Sequence, residues 1–203
     1  MKLDIDPDSV KGFLHPEEGE RLYRLARQSA GLGPVLEVGS YCGRSTLYLG
    51  SACREAGGVL YAVDHHRGSE EHQPGEAYHD PELRDPFTGG LDSLPAFRQT
   101  LWRAGLSETV IPIVAGTELA GRHWRTPLAM VFIDGGHSEA AALRDYRTWS
   151  PHILPGGILA IHDLFEDPAQ GGQAPIRIYR LAEASGLFTP LASTHTLGVL
   201  ERL

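Results

Sequence analysis

Two cysteines and two lysines stand among 203 residues, and no stretch supplies the ~18 consecutive apolar residues that a membrane helix needs. Each scarcity excludes something. Cys42 and Cys53 fall in or beside one predicted helix and form no metal-ligand pair, so they read as reduced thiols rather than a disulfide framework. The polar start "MKLDIDPDSV" lacks the apolar core of a secretory signal, and the expected location is cytoplasmic. A formal net charge of −8 with dispersed basic residues leaves no electrostatic footprint for nucleic acid or an anionic membrane. The expected partner is a small molecule.

What is present is an alternation of short apolar runs with helical patterns, the signature of a Rossmann-like α/β domain on a mainly parallel sheet. Residues 1–203 read as one domain, with a helical segment over 1–33. Helices are expected near 16–30, 44–56, 94–105, 138–149 and 175–185. Strands are expected at "PVLEVG" (34–39), "VLYAVD" (59–64), "VIPIVAG" (110–116), "LAMVFIDG" (128–135) and "GILAIHD" (157–163), with "PGG" (155–157) marking the boundary before the last. "LFTPLAST" and "TLGVLERL" abut too closely for a crossover helix and should pair as a terminal antiparallel hairpin. The result is a doubly wound sheet of seven strands ending in one antiparallel strand. An insertion over 65–92, rich in Pro and Gly, leaves the carboxyl end of the second strand, where open α/β sheets bind ligands. A lid or recognition loop and a passive insertion are both open readings.

The first strand breaks into "GSYCGRS", where Gly39 and Gly43 permit a sharp turn and close approach of a ligand to the backbone. The spacing Glu37-x-Gly39-x-x-x-Gly43 is not the G-x-G-x-x-G of dinucleotide binders. Asp64, closing the second strand, lies beside this turn and can accept hydrogen bonds from both ribose hydroxyls of an adenosine. An NAD enzyme would share that acid, so an NAD-dependent oxidoreductase is an alternative, as is a non-catalytic module that binds an adenosine ligand.

"EVGSYCGRST", "AVDHH", "FIDGGHSEAAALRDYRTW" and "LPGGILAIHD" together resemble the successive motifs of class I S-adenosylmethionine-dependent methyltransferases, over about 34–203. Asp-x-x-His after the fourth strand, and the acidic end of the fifth, resemble the metal-dependent O-methyltransferases that modify sugars of macrolides and related metabolites. The resemblance implies a cofactor site of Glu37, Gly39, Ser40, Tyr41, Gly43, Ser45, Asp64, His65, Gly116, Thr117 and Asp134, with Gly116 and Thr117 flanking adenine. It implies a homodimer as well.

Methyl transfer to an alcohol requires a hydroxyl whose proton is removed or whose pKa is lowered. Asp134, His162 and Asp163 are expected to hold a divalent metal that binds the acceptor oxygen. Asp134 thereby serves the catalysis, and His137 takes the proton. Where the family has two adjacent carboxylates after strand five, this chain has His162-Asp163. One carboxylate fewer opens the site from Mg²⁺ to Mn²⁺, Zn²⁺ or Fe²⁺. Histidines 65, 66, 72 and 79 match no strong zinc spacing; His65, His66 and Arg67 read as contacts for a polar hydroxyl acceptor. Trp102, Trp124 and Trp149 read as packing against the sheet.

Overall fold

Burial on both faces explains why the central strands read as unbroken apolar runs. In a computed structural model, β1 (Val35–Val38) and β4 (Leu128–Ile133) are buried at every position. The structure describes residues 1–73, 75, 76 and 79–203; positions 74, 77 and 78 of the expected insertion lie outside it. The helices are α1 (Pro16–Ser29), α2 (Arg44–Ala56), α3 (Leu94–Arg103), α4 (Thr117–Gly121), α5 (Glu139–Trp149) and α6 (Ala174–Ala184). The remaining strands are β2 (Leu60–Asp64), β3 (Val110–Val114), β5 (Ile153–Ile161), β6 (Phe188–Thr194) and β7 (Leu197–Arg202).

The sheet runs β3-β2-β1-β4-β5-β7-β6, parallel except at β7, which pairs antiparallel with both β5 and β6. Strand alternation divides the core. Val35 joins Leu22 of α1, Leu47 of α2 and Phe97 of α3 on one face. Leu36 and Val38 join Trp149 of α5 and Ile178 of α6 on the other. Register then sets up the site. Val38 lies opposite Val63 and Ile133, and Ile133 opposite Ile161, so the next residues, Gly39, Asp64, Asp134 and His162, emerge along one edge.

Four expectations change. The antiparallel strand is one in from the sheet edge, because β6 and not β7 closes it. β5 starts at Ile153, so Pro155-Gly156-Gly157 lies inside the strand. Gly156 at φ 77° and a register shift between Leu128 and Met130 absorb the irregularity there. β3 stops at Val114 and is followed by the short α4, which apolar patterning did not signal. Trp149 is fully buried, with Trp124 edge-on to it, whereas Trp102 lies 77% exposed instead of packing on the sheet.

The insertion is docked on the molecule. Its Leu83 and Leu91 join Val10 and Cys42 in a small separate core, and Lys11 binds Asp80 at 2.5 Å and Glu82 at 2.6 Å.

Candidate active site

The turn after β1 is the first part of the site, and two carboxyl side chains hold it. Gly39, Tyr41 and Gly43 all adopt positive φ (85°, 46° and 96°). Gly39 tolerates nothing larger, since a Cβ there would lie 2.1 Å from the Asp134 carbonyl oxygen. Beneath the turn Glu37 is wholly buried. It accepts from Ser40 Oγ at 2.8 Å, Ser45 Oγ at 2.6 Å and Thr46 Oγ1 at 2.5 Å. Burial pushes its carboxyl up to about 7, against the pull of those three hydroxyls. Glu37 and Ser45 thus shape the turn from below.

Asp64 grips the same turn from the side. Its Oδ2 accepts from the backbone N–H of Ser40 (2.9 Å) and Tyr41 (2.8 Å), and its Oδ1 from that of His66 (2.7 Å). A carboxylate offers about four acceptor positions, so in this geometry one remains. The sequence reading of two ribose contacts asks for two such positions. His65 lines the cleft beside it, with its Nδ1 accepting from Arg67 N–H at 3.1 Å. His66 instead turns inward, 2% exposed against Phe97 and Ser93, and burial lowers its pKa.

Gly39, Tyr41, Asp64 and His65 border a cleft of about 670 Å³ along the carboxyl edge of β1, β2, β3 and β4, within the usual range for small-molecule sites. Gly116 and Thr117 wall it at the β3 end, and a Cβ on Gly116 would meet only open space. Asp145, which the motifs did not single out, also borders this end. Thr117 donates to its carboxylate, and Trp149 Nε1 donates to Thr117 Oγ1 at 2.6 Å. Burial raises the Asp145 carboxyl to about 6. Its sequence signal was a charge on the buried stripe Ala142, Tyr146, Trp149 of α5.

The second part of the site lies where β4 and β5 end. Ligand atoms of Asp134, His162 and Asp163 all fall within 4.8 Å of one another, a spacing compatible with one shared ion. Asp163 bends out of the strand at φ 59°, which lets it share the site with its neighbour His162. His137 Nε2 lies 3.1 Å from Asp163 Oδ2. His137 directly precedes Ser138, the N-cap of α5. Asp163 is held well below the usual carboxylate range; its burial is outweighed by bonds from His137 and His162.

His162 is 5% exposed and bonded at both ring nitrogens, Nδ1 to Asp134 Oδ1 at 3.1 Å and Nε2 to Glu18 Oε2 at 2.8 Å. Ionised carboxylates only accept, so the ring donates twice and is an imidazolium. Burial opposes that charge, but Asp134, Asp163 and Glu18 outweigh it and hold the pKa far above the ordinary histidine range. Glu18 was missed by motif reading. It sits on the apolar stripe of α1 with Leu22, Leu25 and Ala26, and a carboxylate at i, i+4, i+7 spacing with core residues is the signal that could have found it.

A smaller cavity of about 90 Å³ adjoins the cleft and touches both parts of the site through Gly39, Tyr41, Asp134, His137 and Asp163. Phe13 stacks on Tyr41 at 6.2 Å between ring centroids, and Tyr41 meets His72 at 5.2 Å.

The fold recurs in solved structures at low identity. An O-methyltransferase from Bacillus cereus in complex with SAH matches at TM-score 0.63 and 16% identity, covering 97% of this chain and 85% of that one. The O-methyltransferase TomG from Streptomyces achromogenes, involved in tomaymycin synthesis and solved with SAM, matches at 0.61 and 17%, covering 94% and 81%. SAH-bound Podospora anserina methyltransferase PaMTH1 matches at 0.65 and 13%, covering 94% and 80%. At such identities the likeness establishes the shared fold. The family model described as a methyltransferase domain matches residues 36–164, from β1 through the whole carboxyl edge of the sheet to the end of the β5 motif, and the chain belongs to that methyltransferase family.

Proposed function

We propose that this protein is an S-adenosylmethionine-dependent O-methyltransferase acting on a hydroxyl of a small molecule, such as a sugar or glycosylated metabolite, with divalent-metal assistance. The observation that carries this reading is the junction of the two cavities, which puts a cluster of carboxylates and imidazoles beside a cleft bordered by Gly39, Asp64 and Gly116. The S-adenosyl ligands seen in the Bacillus and Streptomyces enzymes support the choice of cofactor, and the family supports it over NAD or a binding-only role.

In this reading Asp64 orients the ribose, the Gly39–Gly43 turn bounds the methionine end, and Gly116 and Thr117 flank adenine. The bound cofactor supplies an electrophilic methyl group. The acceptor presents its hydroxyl at the smaller cavity, which Phe13, Tyr41 and His72 line. Asp163 orients His137 through Nε2. A neutral His137 then carries its lone pair on Nδ1 and can take the acceptor's proton.

The donor set of two carboxylates and one imidazole suits a divalent ion, and the imidazole widens the choice beyond Mg²⁺ to Mn²⁺, Zn²⁺ or Fe²⁺. Asp134, Asp163 and His162 Nδ1 would hold it. Bound there, the ion would lower the acceptor hydroxyl's pKa. His162 can serve only after Nδ1 gives up its proton, while Nε2 keeps its bond to Glu18.

The working form is proposed to be a cytoplasmic homodimer, checked by light scattering and cell fractionation. Among the described residues no helix is long and apolar enough to cross a membrane. The activity is tested by incubating the protein with methyl-labelled S-adenosylmethionine and a panel of hydroxylated and glycosylated acceptors, in chelator and in Mn²⁺. Label in an ether-linked methyl, dependent on metal, supports the reading. Transfer that is unchanged after exhaustive chelation removes the metal from it, and transfer only to nitrogen or carbon acceptors removes the O-methylation.

A further inference from the structure

Sequence reading found one carboxylate fewer after strand five than such sites usually carry, with His162 in its place. The structure returns that charge from the far end of the chain. Glu18, 2% exposed in the first turn of α1, fills all four acceptor positions of its carboxylate. Oε1 takes the N–H and O–H of Thr196, both at 2.8 Å. Oε2 takes His15 N–H at 3.2 Å and His162 Nε2 at 2.8 Å. Neither α1 nor the β6–β7 turn that carries Thr196 belongs to the segment the family model matches.

Such an arrangement has a specific consequence. An imidazole whose Nε2–H is fixed on a carboxylate presents Nδ1 on its other side, toward Asp134 (3.1 Å) and Asp163 (3.4 Å). A carboxylate behind a ligating histidine sets the ring's tautomer and orientation and raises its basicity as a ligand. Thr196 matters because it holds Oε1 and so stops the carboxylate rotating away. Glu18 itself does not line either cavity of the site, which makes it a group that acts through another.

We infer that Glu18, anchored by Thr196, is a positioning residue that turns His162 Nδ1 into the site and supplies, through the imidazole, the negative charge that the missing second carboxylate would have placed there. The inference rests on the proposed metal centre. It makes the N-terminal helix and the terminal hairpin working parts of that centre rather than peripheral supports.

The test is Mn²⁺ binding to the full chain by electron paramagnetic resonance, with S-adenosylhomocysteine affinity by calorimetry and the thermal midpoint measured on the same samples. Glu18→Ala should weaken Mn²⁺ binding by roughly 10- to 100-fold, the usual cost of losing a partner behind a metal-bound histidine. Glu18→Gln, which keeps an acceptor but no charge, should fall between wild type and Glu18→Ala. Thr196→Val, which keeps the backbone bond, should show the smallest loss. S-adenosylhomocysteine affinity should stay within about threefold of wild type in all three, as expected for a role confined to the metal end of the site. Unchanged Mn²⁺ affinity in Glu18→Ala overturns the inference while leaving the metal centre standing. Parallel losses of Mn²⁺ affinity, S-adenosylhomocysteine affinity and thermal midpoint would show that Glu18 only holds the fold together. Wild-type protein that binds no Mn²⁺ retires the metal centre and this role together. If Glu18→Ala does not fold, the Glu18→Gln and Thr196→Val pair decides on the same criteria.

Discussion

The carbonyl of Asp134 closes over Gly39 so tightly that a single added methyl group on Gly39 would come within 2.1 Å of it. The contact joins the β1 turn to the β4 end, the two segments that the cofactor cleft and the carboxylate cluster share. Gly39→Ala must therefore move backbone at the centre of the site and also strain a residue at φ 85°. The expected cost is about 3 kcal/mol or more, with S-adenosylhomocysteine binding lost. Gly116→Ala, at φ −69° with open space beyond, should cost under about 1 kcal/mol. Urea titrations of the two variants check this; equal midpoints would contradict the close approach.

Glu37 makes stability depend on pH in an unusual direction. Its folded pKa, about 7, lies above the ordinary value of 4.5, so its contribution is fully present below about pH 4.5 and is lost as pH rises through about 7. The span corresponds to about 3 kcal/mol. Glu37→Gln, which cannot ionise, should flatten unfolding free energy between these limits relative to wild type. A wild-type slope retained in the variant would mean that another group carries it.

Asp64 has one acceptor position left after holding the turn. Asp64→Ala removes that position and loosens the Ser40–Tyr41 backbone, so S-adenosylhomocysteine affinity should drop roughly 10- to 100-fold, the worth of one charge-assisted hydrogen bond. Calorimetry measures it. An affinity within twofold of wild type would place the ribose elsewhere.

His137→Ala should leave S-adenosylhomocysteine affinity nearly intact and reduce methyl transfer to the true acceptor by roughly 10²- to 10⁴-fold, the usual worth of a general base. Turnover equal to wild type, measured once the acceptor screen has produced a substrate, would remove the assigned role.

How much of this was legible in the sequence follows from where each group sits. Strands buried on both faces announce themselves as apolar runs, so their carboxyl ends, and with them Gly39, Asp64, Asp134 and Asp163, could be lined up before any coordinates. Register did the rest, because Val38 pairs with Val63 on one side and with Ile133 on the other. Distance in the chain hid the remainder. Glu18 meets Thr196 across 178 residues, and no local pattern encodes such a contact. Asp145 shares the buried face of α5 with Ala142, Tyr146 and Trp149, and apolar spacing marks that face as core rather than as site. The inward turn of His66 depends on a left-handed backbone at φ 59°, which a histidine in a polar loop does not reveal. Both missed acids shared one visible mark, a charge on an apolar helical stripe, which burial without a partner would make costly.

The most direct test of the account is calorimetric binding of S-adenosylmethionine, S-adenosylhomocysteine and NAD, in chelator and again with Mg²⁺, Mn²⁺ or Zn²⁺. The account predicts that both S-adenosyl ligands bind one per chain in every condition while NAD does not. Binding of NAD in their place, or of none of the three under any metal condition, would contradict it and leave the roles given to Asp134, His137 and Asp163 without a basis.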